Sequence, residues 1–115
     1  TLSHLIDTIS HSTIFTLDTE SVSIHKKPNK PALIQVQIIR SISPSYIIIV
    51  EVCHLSHSSE STHRLIQQLF ESLFQPANTI HVWGSIEELK GFVQYNLFAE
   101  EQIDRSNNRN GQLSA

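Results

Sequence analysis

Apolar residues recur along the first half of the chain at two spacings, and these spacings predict one helix followed by three strands. Residues 2–10 carry leucine and isoleucine at helical spacing, which predicts a short amphipathic helix. Residues 13–18, 32–40 and 46–53 are rich in isoleucine, valine, phenylalanine and threonine, which predicts strands. The turns between them favour an antiparallel meander. The unbroken apolar run of the third strand predicts burial on both of its faces, inside the sheet.

The second half of the chain has a helix–strand–helix pattern. Residues 62–75 carry a broad apolar stripe, residues 79–83 form a short apolar strand, and residues 86–97 predict a second helix. A strand that follows a helical crossover lies parallel to its neighbour, so residues 79–83 are expected beside the strand that carries Asp18. The predicted fold is therefore α/β, with a mixed sheet of three antiparallel strands followed by helix, strand and helix.

Composition narrows the class of protein. The chain has 115 residues, which is room for one domain or part of one, and a net charge of −3. It therefore has no overall basic field, and a nucleic-acid partner would need a local basic patch or a metal ion. The single cysteine, Cys53, excludes an internal disulfide framework. It favours an intracellular, reducing compartment, with nucleus and cytoplasm not distinguished. No apolar run is long enough to predict a membrane span, and oligomeric state stays open.

The first strand ends in two acids. Asp18 and Glu20 are two positions apart, so on a strand their side chains share one face, about 6–7 Å apart along it. Two such carboxylates repel each other unless a cation lies between them, and oxygen ligands suit divalent ions such as Mg²⁺ or Mn²⁺. The alternative interpretation is that both are ordinary polar residues at a strand end. The pair by itself leaves both interpretations open.

Three further groups of residues could carry chemistry. Lys26, Lys27 and Lys30 form the one basic cluster, which is either a solvated loop or, if the acids bind a metal, a contact for a phosphate backbone. Trp83 is expected to pack in the core, with stacking on a nucleobase as the alternative. Cysteine and histidines at positions 53, 54 and 57 could suggest zinc, but their spacing matches no standard finger, so loop histidines are expected.

Three segments resemble the DEDD-type 3′–5′ exonucleases of the RNase D and Werner-type branch. Residues 17–20, Leu-Asp-Thr-Glu, resemble the family's first motif, and residues 31–36, Pro-Ala-Leu-Ile-Gln-Val, resemble its second-strand signature. Residues 83–88 lie where the family has a strand, a glycine and an acid early in the next helix. The resemblance implies an RNase H-like fold, incomplete and truncated, in residues 1–98. The polar residues 99–115 are expected to form a disordered tail.

The resemblance also implies a function. A 3′–5′ exonuclease-like domain would bind the 3′ end of a single strand of nucleic acid and hydrolyse phosphodiesters with two divalent ions. Asp18 and Glu20 would be metal ligands, and Glu88 would act with them in catalysis as the second-motif acid. The family has Asp at that position, and Glu88 also fits a helix-capping box with Ser85.

The last acidic motif of the family is missing after residue 98. Position 99, four residues after Tyr95, is alanine and not an acid. Two alternatives therefore remain beside the exonuclease. One is a catalytically inactive, truncated or degenerate relative that acts as a nucleic-acid or protein interaction module. The other is a small α/β structural domain in which the acids have no special role.

Overall fold

The computed structural model describes residues 2–22, 25, 30–40, 46–52, 55 and 59–110. The elements in chain order are α1 (Leu2–Ser10), β1 (Ile14–Val22), β2 (Lys30–Ile38), β3 (Tyr46–Glu51), α2 (Glu60–Leu73), β4 (Thr79–Trp83), α3 (Ile86–Lys90), a 3₁₀ turn (Val93–Tyr95), α4 (Glu100–Arg105) and β5 (Asn107–Asn110). No helix among these described residues is long and apolar enough to cross a membrane.

The strands form one mixed sheet in the order β3-β2-β1-β4-β5. β1 and β3 are both antiparallel to β2, whereas β4 is parallel to both β1 and β5. The predicted meander and the predicted place of residues 79–83 beside β1 are confirmed, and Asp18 lies opposite Trp83. The helical crossover through α2 brings β4 back parallel to β1, as a βαβ connection requires.

One face of the sheet packs against the helices and forms the core. The buried strand residues alternate in sequence, as the two-residue period of a strand dictates. They are Phe15, Leu17, Ile34, Val36, Ile38, Ile48, Val50, Ile80 and Val82. The helices contribute buried side chains that include Ile9, Leu69, Phe70, Leu73, Leu89 and Ile103. The stripe predicted for residues 62–75 is therefore the core face of α2, where Phe70 packs against Phe74 and Phe98.

The other face of the sheet is open. Its described side chains on β1 to β4 are all exposed or half-buried. We call this surface the open face, and it comprises Ile14, Thr16, Asp18, Glu20, Val22, Leu33, Gln35, Gln37, Ile47, Ile49, Glu51, Thr79, His81 and Trp83.

The open face corrects the prediction for the third strand. β3 was expected to lie inside the sheet and to be buried on both faces, but it forms the edge of the described sheet. Ile47 and Ile49 are 57% and 54% exposed, because they belong to the open face and only their neighbours Ile48 and Val50 reach the core. An unbroken apolar run cannot distinguish burial on both faces from an apolar patch on an open one.

The helix predicted over residues 86–97 is shorter than expected. α3 ends at Lys90, Gly91 follows it, and the chain continues as the 3₁₀ turn. Asn96 then adopts a left-handed conformation with φ 59°. Leu89 before the break and Leu97 after it are both buried.

The prediction of a disordered tail over residues 99–115 is wrong for residues 99–110. These residues form α4 and β5, and Ile103 of α4 is fully buried. Lys90 Nζ lies 3.5 Å from Glu100 Oε1 and 3.3 Å from Asp104 Oδ1, so it joins α3 to α4. The hydrogen bond to Asp104 raises the pKa of Lys90 above its usual value. Residues 111–115 lie outside the described part of the chain.

Candidate metal and nucleic-acid site

The two acids of the first motif lie on the central strand of the sheet. Asp18 and Glu20 are both exposed on the open face. Asp18 lies between Gln35 of β2 and Trp83 of β4, and Glu20 lies opposite Leu33. The parallel pairing of β1 with β4 ends at Asp18, and a bulge in the pairing with β2 follows Glu20. The pair therefore stands where the paired parallel strands end, the usual place for ligands in open α/β sheets.

Glu88 reaches β1 through the residue between the two acids. The Thr19 hydroxyl donates a hydrogen bond of 3.2 Å to Glu88 Oε2. Thr19 has the strand parity of Phe15 and Leu17, so its side chain points to the helix-covered face and away from the open face of Asp18 and Glu20. Glu88 therefore contacts β1 on the helix-covered face, opposite the face that carries the acid pair.

The sharp exit from β4 makes this contact possible. Gly84 has φ 91°, and a Cβ at this position would lie 3.3 Å from Glu88 Oε2. The Ser85 hydroxyl then caps α3 by accepting a hydrogen bond of 3.1 Å from the backbone N–H of Glu87. Ser85 caps α3 as predicted, but its hydroxyl accepts from Glu87 rather than from Glu88, and the carboxylate of Glu88 accepts from Thr19.

Asp18 and Glu20 offer carboxylate oxygens, the type of donor that a divalent ion takes. Asp18 Oδ1 accepts a hydrogen bond of 2.9 Å from the backbone N–H of Thr19, which orients the carboxylate. Two exposed carboxylates suit a hard ion such as Mg²⁺, which binds through one or two carboxylates and keeps several waters. In the part of the chain that the structure describes, no group of three or more Asp, Glu, His or Cys side chains is placed to hold a metal. The described residues therefore do not fit a two-ion site.

Several of the other predicted site residues lie outside the part of the chain that the structure describes. Lys26 and Lys27 are outside the described residues, as are the cysteine and histidines at positions 53, 54 and 57. Lys30 is the first residue of β2 and pairs with Val22. His63, six residues after position 57 in the sequence, donates from Nε2 to the carbonyl oxygen of Asn96 over 3.1 Å.

The prediction that Trp83 packs in the core is wrong. Trp83 is 48% exposed on the open face. The reason is the alternation along β4, in which Ile80 and Val82 point to the core and His81 and Trp83 to the open face. The signal was present in the order Thr-Ile-His-Val-Trp, because a tryptophan two positions from a histidine shares its face.

No protein-family model and no curated protein matches the chain. The structure is similar to a crystal structure of the Nibbler EXO domain from Aedes aegypti, with a TM-score of 0.62 and 13% sequence identity. The similarity covers 98% of this chain and 50% of that one, so this chain spans half the length of the structure it matches. The likeness shows the fold, which is a mixed α/β fold of the RNase H-like type.

Proposed function

We propose that this chain is a 3′–5′ exonuclease-like domain that binds the 3′ end of a single strand of nucleic acid through a divalent ion, Mg²⁺ or Mn²⁺, held by Asp18 and Glu20. The observation that supports the proposal most is the exposed acid pair on central strand β1, where its parallel pairing with β4 ends. The exonuclease-like fold adds to it, because the pair stands in the first motif of the resemblance.

A divalent ion would remove the electrostatic repulsion between this site and a phosphate group. A chain of net charge −3 with two acids at the site repels phosphate, whereas a bound divalent ion neutralises the two acids and leaves coordination positions for a phosphate oxygen. When bound, the ion would also polarise a phosphoryl oxygen. Asp18 and Glu20 supply its oxygen ligands, and Glu88 holds Thr19 so that the two carboxylates keep their spacing. Lys26, Lys27 and Lys30 are proposed as contacts to the strand's phosphates.

A second candidate is a binding module without hydrolysis. It is favoured by the donor set, because two-ion hydrolysis needs more acidic ligands than the pair at β1, and the described residues add no third one. Both candidates share ion-dependent binding, and only release of nucleotides distinguishes them.

The test is binding of a 5′-labelled single-stranded DNA or RNA oligonucleotide, followed by fluorescence anisotropy in Mg²⁺ or in EDTA. We expect Mg²⁺ to tighten binding of the wild type at least about tenfold, since the ion removes a repulsion between like charges. Asp18→Asn and Glu20→Gln should lose this dependence. Glu101→Gln is the matched control, because it changes one exposed charge on α4 and should behave as the wild type.

Equal ion dependence in wild type and Asp18→Asn, or no binding in either, would refute the proposed function. With binding established, shortening of the labelled strand from its 3′ end would identify an exonuclease. An intact strand would identify the binding module.

A further inference from the structure

Four side chains of the open face form one row across the sheet. Trp83 lies opposite Asp18, Asp18 opposite Gln35, and Gln35 opposite Ile49. Neighbouring strands are about 4.8 Å apart, so residues paired on one face lie side by side. Trp83 and Asp18 are therefore neighbours in this row, on adjacent strands.

The surroundings of Trp83 are polar although its ring is apolar. Trp83 is 48% exposed, its row neighbour is Asp18, and His81 precedes it on the same face. The exposed isoleucines Ile47 and Ile49 lie on β3, at the far edge of the face, with Gln35 and Gln37 in between. An apolar protein surface laid over Trp83 would have to take the Asp18 carboxylate out of water, which is costly.

A nucleotide suits both Trp83 and Asp18. Its base offers a flat π-face to the indole while its polar edges stay in water, and its phosphate suits a cation at Asp18. We propose that Trp83 is a base-stacking platform, on which the 3′-terminal base of a single strand lies while its phosphate faces the ion at Asp18. This inference rests on the proposed function, because it uses the same ion to place the phosphate.

The platform defines a class of ligand. Stacking on a flat aromatic ring requires an unpaired base, so the ligand is single-stranded DNA or RNA rather than a duplex. Every base has a π-face, so we expect little sequence preference.

The chain contains one tryptophan, so Trp83 reports directly on its own environment. Titration of the wild type with an unlabelled oligonucleotide in Mg²⁺ should change the Trp83 emission, with the same midpoint as the anisotropy of a labelled strand. Trp83→Leu should bind roughly tenfold more weakly, because base–aromatic stacking contributes about that much per base. Trp83→Phe keeps an aromatic ring and should retain part of this affinity. Tyr46→Leu, which removes the exposed ring at the start of β3, is the matched control and should bind as the wild type.

An oligonucleotide that lacks its 3′-terminal base isolates the stacking contact. The wild type should lose roughly tenfold in affinity for this strand, whereas Trp83→Leu should lose little more, because the two changes remove the same interaction. A strand that lacks its 5′-terminal base should bind the wild type normally.

The outcomes separate this inference from the function on which it rests. If the wild type binds with Mg²⁺ but its emission is constant and Trp83→Leu binds equally well, stacking is wrong and the proposed function stands. If no ion-dependent binding occurs, both are wrong. If the emission shifts with protein concentration alone and sedimentation shows dimers, a second copy of the chain covers Trp83, and stacking is wrong.

Discussion

Gly84 is the residue on which the geometry between β4 and Glu88 depends. Its φ of 91° lies in the region that favours glycine, and a side chain there would meet the Glu88 carboxylate at 3.3 Å. The same turn brings α3 close enough for Glu88 to accept the hydrogen bond of Thr19. A single small residue thus links the end of β4 to the strand that carries the acid pair.

Gly84→Ala is expected to destabilise the domain by about 1–3 kcal/mol, because alanine rarely adopts this backbone conformation. Urea unfolding of both proteins measures the difference. Gly91→Ala is the matched control, since a Cβ there would also lie 3.3 Å from an oxygen of Glu88, but Gly91 is in the right-handed helical region that alanine adopts. A loss at Gly84 no greater than the loss at Gly91 would contradict the left-handed turn.

Single residues were predictable where the signal is local. The shared face of Asp18 and Glu20 follows from their spacing of two, and the cap at Ser85 follows from its place before an acidic first turn. The bond between Thr19 and Glu88 joins residues 69 positions apart and depends on the crossover that places α3 beside β1, so no local pattern indicates it. Residue type alone predicts a buried Trp83, whereas the alternation of β4 places it on the open face with His81.

At the scale of elements, α4 and β5 show that a segment of mostly polar residues can form part of the fold. α4 has six residues, and the buried one is Ile103. β5 pairs with β4 through Thr79, Ile80, His81 and Val82. Backbone hydrogen bonds hold such an edge strand whatever its side chains are. Because one buried isoleucine and a backbone ladder leave no apolar periodicity, the segment had the pattern of a disordered tail.

Ile103→Ala should destabilise the domain by about 2–4 kcal/mol, which is the usual cost of removing a fully buried isoleucine side chain. Thermal or urea unfolding measures it. Glu101→Ala changes an exposed neighbour on the same helix and should remain within about 0.5 kcal/mol of the wild type. Unchanged stability of Ile103→Ala would mean that α4 does not dock on the core.

The helices and strands with strong periodicity were predicted in the right order, with boundaries that move by a few residues. Their positions within the layers were less predictable. β3 has the composition of an interior strand, yet it lies at an edge of the described sheet, because only one of its faces meets helices. Whether a second layer covers a sheet depends on the rest of the chain, and an individual strand carries no signal for it.

At the scale of the whole molecule, the sheet has two unlike faces. One holds the core, and the other presents two acids, an exposed tryptophan and exposed isoleucines in the described residues. The chain spans half the length of the Nibbler EXO structure that it matches, and in the described residues no third acid joins the pair to form a metal-binding group. Ion-dependent binding of nucleic acid therefore depends on whether Asp18 and Glu20 hold a divalent ion.

The most direct test is thermal unfolding of the wild type and Asp18→Asn during titration with Mg²⁺ or Mn²⁺. An ion that binds the folded state stabilises it, by about 2.7 kcal/mol at 100 times its dissociation constant. We expect the melting temperature of the wild type to rise with the ion and that of Asp18→Asn to stay constant, while Glu101→Gln follows the wild type. No rise in the wild type, or an equal rise in Asp18→Asn, would contradict the metal site.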